Sequence, residues 1–318
     1  MRGDAVKAAV VQKYGPPEVV RIRDVADPVA GKGQVLVRVR ATTLNSGDAR
    51  IRGASFPPGF AVPARLALGL RGPRRPVLGV VYSGVVEAVG PGVSGIAAGD
   101  EVCGMTGARM GAHAELAAVR ADRVCPKPAG VDHEQAAAIL FGGSTARHFL
   151  HDLVGPGRRV LVNGASGAVG SAAVQVARLA GSHVTAVCSH RNADLVRSLG
   201  AEEVVDHAAT SVLDLPATYD VVLDTVGNLD RRSGRRLLAP DGVLVLVAAG
   251  LADTVLARGN VRAGVSSEDP VNFAWLLDRI AAGEMRAVVD RTLPLGEVVE
   301  AHRIVDSGRK VGNLVLTP

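Results

Sequence analysis

Apolar positions in the first third of the chain fall in short Val-rich runs, each stopped by a Gly/Pro break. Lys7–Val11, Val19–Val25 and Gln34–Ala41 predict strands, as do Val85–Val89, Glu101–Cys103 and Ala114–Val119. The breaks include Gly15-Pro16-Pro17, Gly31-Lys32-Gly33 and Gly90-Pro91-Gly92. Short strands at this spacing predict a compact, barrel-like β domain. The pattern changes near residue 132, where Asp132–Leu140 reads as a helix with Asp132 as a possible N-cap. From Arg159 strands and helices alternate. Val160–Asn163, His183–Cys188, Glu203–Val205, Val221–Asp224 and Val243–Ala248 are the strands. Ala168–Ala180 and Asn192–Leu199 are the intervening helices. This βαβα order predicts a parallel sheet covered by helices. A helix at Glu297–Ser307 and a strand at Leu314–Leu316 close the chain.

With 318 residues, two domains are expected. Aromatic residues are only 3%, so the cores must be built from Ala, Val and Leu. The net charge is +5, but the basic residues sit in short clusters, Arg71–Arg75 and Arg231–Arg236, without interleaved aromatics. That argues for a solvated surface or local attraction of an anionic cofactor, and against a nucleic-acid groove. The three cysteines, Cys103, Cys125 and Cys188, match neither a disulfide framework nor a zinc knuckle. Met1-Arg2-Gly3-Asp4 lacks an apolar signal core, and no apolar run is long enough to span a bilayer. A reducing, cytoplasmic setting is therefore expected.

The strongest chemical signal is Val160-Leu161-Val162-Asn163-Gly164-Ala165-Ser166-Gly167-Ala168-Val169-Gly170. An apolar strand runs straight into glycines spaced by three, and a helix follows. Such a loop lets backbone N–H groups and a helix N-terminus approach a pyrophosphate. Alone the pattern is weak; the strand before, the helix after and a second strand about twenty residues on strengthen it. That second strand ends Val187-Cys188-Ser189-His190-Arg191, with no carboxylate before Asp194. A carboxylate there would hold a ribose 2′-OH, whereas Ser189 and Arg191 suit a 2′-phosphate. NADPH is favoured over NADH. His207 follows Asp206 and is a further 2′-phosphate candidate, with a surface histidine as the plainer reading.

These motifs, taken with Leu44-Asn45-Ser46-Gly47-Asp48, Gly84–Gly90, Gly99-Asp100-Glu101-Val102, Ala112-His113-Ala114-Glu115, Lys127-Pro128, Leu199-Gly200-Ala201, Asp224-Thr225-Val226-Gly227 and Ala301-His302-Arg303, resemble the zinc-free, quinone oxidoreductase-like medium-chain dehydrogenase/reductases over nearly the whole chain. The resemblance implies an α/β fold: a GroES-like β-barrel domain (1–124 with 285–318) and a Rossmann doubly wound parallel sheet (125–284). It also implies a homodimer, a small apolar substrate and NADPH as cofactor. The implied cofactor set is Thr145, Gly164, Ala165, Ser166, Gly167, Ala168, Val169, Ser189, Arg191, His207, Val226, Ala248, Ala249, Gly250 and Asn313. Zinc-dependent relatives place ligands where Asn45, Val80 and Phe141 stand here, so no metal is expected.

The resemblance implies reduction of a quinone or an α,β-unsaturated carbonyl compound, and the oxygen that gains charge then needs a donor. Asn45 is the first candidate, and Arg50 and Tyr82 are weaker ones. Arg50 stands about where some relatives carry a tyrosine, and Val80-Val81 replace an Arg-Asp pair. These departures keep open a protein that binds NADPH but has lost or repurposed its redox activity. A zinc alcohol dehydrogenase is a third option. The long, Pro-rich segment Phe56–Pro76 reads as a lid over an apolar substrate, a surface loop or a dimer contact.

Overall fold

The computed structural model describes residues 5–318, so the N-terminal motif Met1–Asp4 lies outside the described residues. The chain forms two compact units. One holds the chain to Phe56, Ala61–Phe141 and Glu268–Pro318; the other holds Pro57–Phe60 and Gly142–Ser267. The divisions differ from the expected 124/125 and 284/285 boundaries.

In the first unit β1 (Ala5–Val11) pairs antiparallel with β2 (Val20–Ala26). Then come β3 (Gln34–Leu44), α1 (Ser46–Gly53), α2 (Ala61–Leu68), β4 (Val81–Val89), β5 (Glu101–Met105), β6 (Leu116–Arg120) and β7 (Val124–Pro126). The strand at Val85–Val89 begins earlier than its sequence pattern predicts, because both faces of Val81–Gly84 are buried and alternation disappears there. Helix α3 (His133–Leu150) carries the chain into the second unit. It runs ten residues past its predicted end, through Gly142-Gly143. A Cβ at Gly142 would stand 2.2 Å from the Ala168 carbonyl oxygen, so close backbone packing offsets the poor helix propensity of glycine.

The second unit contains β8 (Arg159–Asn163), α4 (Ala168–Leu179), β9 (His183–Cys188), α5 (Ala193–Ser198), β10 (Glu203–Asp206), β11 (Tyr219–Asp224), α6 (Arg231–Arg235), β12 (Leu238–Leu246), α7 (Leu251–Val255) and β13 (Val261–Ala263). Its six parallel strands lie in the order β10-β9-β8-β11-β12-β13. The order reverses between β8 and β11, which is the switch point of a doubly wound sheet. Leu161, Val222, Leu244, Leu246 and Tyr219 form its core.

The chain returns to the first unit with α8 (Pro270–Ala281), β14 (Val289–Pro294), α9 (Val298–Asp306) and β15 (Asn313–Thr317). The seven-stranded sheet there has the order β14-β15-β3-β4-β5-β7, and β6 also pairs with β3. Strand β15 pairs with β3 from Leu314↔Leu44 to Leu316↔Thr42, so the last strand of the chain joins the sheet that β3 begins. No described helix is long and apolar enough to cross a membrane. The segment 56–76, read from the sequence as a lid, a surface loop or a dimer contact, contains α2, which buries none of its residues and leaves Val62 and Leu66 exposed. Tyr14 Oη donates to the Gly69 carbonyl at 2.6 Å and pins the far end of that helix.

Helix α9 buries Val298, Ala301 and His302. The His302 imidazole is almost fully enclosed, its Nδ1 has no partner, and the nearby charged groups are His113 and Arg52. Burial first, then those positive neighbours, depress its pKa from 6.5 to about 3. The folded-state value is the lower one, so the stabilisation by neutral His302 is complete above about pH 6.5 and drains as the pH falls toward about 3. The native protein should lose about 1.4 kcal/mol per pH unit from this residue across that window. Urea midpoints measured from pH 7 to pH 4 should therefore fall more steeply for the native chain than for His302→Gln; parallel curves would refute the assignment.

Candidate functional site

At the switch point the carboxyl ends of β8 and β11 are tied together by side chains. Asn163 Nδ2 donates to Asp224 Oδ1 at 2.9 Å and to Asn228 Oδ1 at 2.6 Å. The buried Asp224 carboxylate also accepts from the Val226, Gly227 and Leu229 amides at 3.0, 3.0 and 3.2 Å. Burial raises its pKa, against the pull of those donors. Thr225 Oγ1 closes the same turn on the Asn163 carbonyl at 2.8 Å. Neither Asn163 nor Asp224 stood among the expected site residues. Asp224 was legible as the polar terminus of an all-apolar strand, but its acceptor role needs the neighbouring strand.

The glycine loop sits beside this knot. Gly164 takes φ +84°, and a Cβ at Gly170 would stand 2.2 Å from the Gly164 carbonyl oxygen and 2.7 Å from Ala165 Cα. Only glycine lets the helix start so close to the strand end. The Gly164 and Ala165 amides both donate to the Val187 carbonyl at 3.0 Å, so those two residues shape the loop and do not offer their N–H groups to a phosphate. The first-turn amides of α4, from Ala168 and Val169, have no intrahelical acceptor, and Gly167 supplies no side-chain cap. Together with the helix dipole they make an anion cradle.

Further candidates gather along the same edge of the sheet. Ser189 Oγ and His207 Nε2 are 3.1 Å apart, joining the ends of β9 and β10. Asn192 Nδ2 donates to Ser166 Oγ at 3.0 Å, linking the turn that carries the exposed Arg191 to the glycine loop. Val226 is half exposed, and Ala248 packs against Gly227, so the loops after β11 and β12 touch. Ala249 and Gly250 continue that loop into α7. Thr145 Oγ1 lies 3.1 Å from Ser266 Oγ, beyond β13. Asn313 belongs to the barrel unit instead, where its backbone N–H and Nδ2 both donate to the Val288 carbonyl at 2.8 and 3.0 Å.

In the barrel unit, α1 starts with a reciprocal cap. Asn45 Oδ1 accepts from the Gly47 and Asp48 amides at 2.7 and 3.2 Å, and Asp48 Oδ2 accepts from the Asn45 amide at 3.0 Å. Asp48 Oδ1 takes the Gly79 amide at 3.2 Å. Asp48 is fully buried; burial raises its pKa, opposed by His113 and by those backbone donors. The cap uses Asn45 Oδ1 and leaves Nδ2 buried and without an acceptor. Asp48 is the residue that sequence reasoning missed here, although Asn45-Ser46-Gly47-Asp48 has the spacing of a capping box.

Arg50, on the same helix, is partly buried and forms no hydrogen bond or ion pair among the described residues; burial pushes its guanidinium below its usual pKa. Tyr82 requires a correction. It is completely enclosed among Val35, Val37, Val86 and Val102 in the barrel core, and burial drives its phenol well above the usual range. A strand position facing the core cannot present a proton to a substrate, so Tyr82 is a packing residue.

The geometry is matched by two family models. Residues 31–129 match the alcohol dehydrogenase GroES-like domain, and residues 199–316 match the zinc-binding dehydrogenase family. The mitochondrial NAD(P)H oxidoreductase RTN4IP1 of Mus musculus is 32% identical over 99% of this chain and 90% of its own length. The structure of the quinone oxidoreductase from Coxiella burnetii superposes with a TM-score of 0.88 at 27% identity, covering 99% of both chains. This chain belongs to the quinone oxidoreductase-like medium-chain dehydrogenase/reductases. It is an oxidoreductase. Another relative, the chloroplastic NADPH-dependent alkenal/one oxidoreductase of Arabidopsis thaliana, is 29% identical over 98% of this chain and 80% of its own length.

One of the two family descriptions names zinc. Among the described residues no three or more His, Cys, Asp or Glu side chains gather where they could hold a metal. Asn45 spends its oxygen on the helix cap, and Val80 and Phe141 offer no donor. The Asp224 knot generates a direct test. Asp224→Ala should cost about 1–3 kcal/mol, the penalty of stranding buried donors. Hydrogen exchange should quicken first at the Val226, Gly227 and Leu229 amides, and unchanged protection there would show that the carboxylate does not hold the loop.

Proposed function

We propose that this chain is a zinc-independent reductase that uses NADPH to reduce a quinone or an α,β-unsaturated carbonyl compound. The observation that carries the reading is the buried Asn45 Nδ2, a fixed neutral donor without an acceptor. A buried donor is costly unless something satisfies it, and a substrate oxygen that gains negative charge is the matching acceptor. Being an amide, Asn45 holds that charge without titrating, and its orientation is set in advance by the Gly47 and Asp48 amides.

When bound, the nicotinamide supplies the reducing equivalent. The amides of Ala168 and Val169 suit its pyrophosphate. Ser189, Arg191 and His207 suit a 2′-phosphate, since β9 ends without a carboxylate that would repel one. The NADPH-dependent relative supports the same preference. The donor chemistry at Asn45, Val80 and Phe141 supports a reaction without zinc. The working assembly in this reading is a homodimer acting on a small, largely apolar molecule.

The test is the loss of NADPH absorbance with a panel of quinones and enones, a chelator present and NADH as control. Turnover should persist with chelator and favour NADPH, and Arg191→Ala should reduce that preference by about tenfold or more. Asn45→Ser, which can still cap α1, should keep the fold while lowering kcat about 10²- to 10³-fold. Tight NADPH binding without turnover of any panel member would instead favour a cofactor-binding protein whose redox activity has been lost or repurposed. Loss of activity to chelator would refute zinc independence.

A further inference from the structure

The barrel sheet brings two of the three cysteines together. Cys103 on β5 stands directly opposite Cys125 on β7, so the two side chains share one face of the sheet. Side chains alternate along a strand, so this face is turned away from the core around Tyr82 and Val102. The sulfurs are in contact, with the Cys103 S–H donating to Cys125 Sγ. Opposite Cα atoms in an antiparallel pair lie about 4.5–5.5 Å apart, inside the roughly 4.4–6.8 Å that a disulfide spans. The Cβ atoms need to close by about 1 Å. Strand β7 can supply that movement, because it is three residues long and ends the sheet.

The two thiols differ in chemistry. The Cys103 S–H holds the Cys125 sulfur below the usual thiol range, against burial and the nearby Asp278. A weak 3.6 Å contact joins Cys125 Sγ to the Pro126 carbonyl oxygen. The same contact between the sulfurs, and then burial, push Cys103 well above that range, against the pull of Lys127. Lys127 lies two residues beyond Cys125, paired with Glu101 at 3.1 Å. Cys103 is fully enclosed on an inner strand, whereas Cys125 sits on the edge strand. Cys188 provides the contrast. It is also buried, but on β9 between β8 and β10, opposite Asp206. Burial first, then Asp206, raises its pKa.

We propose that Cys103 and Cys125 form a reversible dithiol–disulfide site whose oxidant is a small-molecule disulfide, with Cys125 the attacking sulfur and Cys103 the resolving one. The site is independent of the reductase reading and uses none of its residues. The Cys125 thiolate attacks one sulfur of the reagent R–S–S–R. A Cys125–SR bond forms, the reagent S–S bond breaks, and RS⁻ leaves and takes up the Cys125 proton as RSH. Cys103 then gives up its proton and attacks Cys125 Sγ. The Cys103–Cys125 bond forms and the second RS⁻ leaves as RSH. The protein loses two electrons and the reagent gains two.

The experiment treats the full chain, folded and fully reduced, with 2-hydroxyethyl disulfide, followed by alkylation in denaturant. Free thiols should fall from three to one. The mass should drop by two hydrogens without an adduct, and peptide mapping should find Cys103 joined to Cys125 and Cys188 alkylated. Dithiothreitol should restore all three thiols. Cys103→Ser keeps a hydroxyl donor beside Cys125 but cannot resolve, so a single mercaptoethanol adduct should accumulate on Cys125. That adduct should form about tenfold or more faster than any on Cys188. Cys125→Ser should leave Cys103 unmodified over the same time. If either variant fails to fold, the peptide map of the native chain still decides whether the link forms. Three free thiols persisting in the folded chain while the denatured chain oxidises would overturn the proposal. So would Cys188 reacting first, or adducts on Cys125 of the native chain that never pass to Cys103.

Discussion

The buried Asp224 carboxylate is the interaction on which the dinucleotide-binding edge depends. Strands β8 and β11 end side by side at the point where the sheet order reverses, and both chains must turn there. Turning leaves backbone N–H groups inside the protein without strand partners, a loss that must be met locally. Asp224 accepts three of them and also holds the Asn163 side chain, so one acidic group satisfies both strand ends. The glycine loop can then bend sharply, with its Gly164 and Ala165 amides absorbed by Val187. What remains unsatisfied along this edge is the first turn of α4, where free donors can meet an anion.

The barrel unit applies the same accounting with the opposite result. The reciprocal cap between Asn45 and Asp48 engages Asn45 Oδ1 and Asp48 Oδ2, and Asp48 Oδ1 also fixes the Gly79 turn. Two donors of that helix, Asn45 Nδ2 and Arg52 Nε, stay buried without a partner. The neutral amide suits charge that appears during a reaction.

Much of the architecture was legible in the sequence, because period-two and period-3.6 patterns report burial on one face. The alternation after Arg159, the glycine loop and the closing strand all appear within a few residues of where the pattern placed them. The pattern was least informative where burial is two-sided or nearly absent. Strand β4 begins earlier than predicted because Val81–Gly84 face protein on both sides, and α2 shows no inward stripe because it buries nothing. Helix α3 ignores Gly142-Gly143 as a break, since the contact that favours glycine comes from the loop at Ala168, distant in sequence.

By itself the sequence determined residue chemistry: a loop able to cradle a pyrophosphate, a strand end without a repelling carboxylate, an amide and an arginine early in the chain, and no cluster of thiols for a metal. Only the tertiary structure decided which polar atoms remain free. Tyr82 and Asn45 are both polar residues beside apolar runs, yet one lies in the barrel core and the other begins a helix, and each keeps a buried polar atom without a partner. Asn313 and Thr145 offered similar hydrogen-bonding groups on paper, and Val288 takes the first while Ser266 neighbours the second. The physical reason is that donor and acceptor partners are supplied by chain segments dozens to hundreds of residues away. Local pattern specifies what a side chain can do, and packing specifies what is left for it to do.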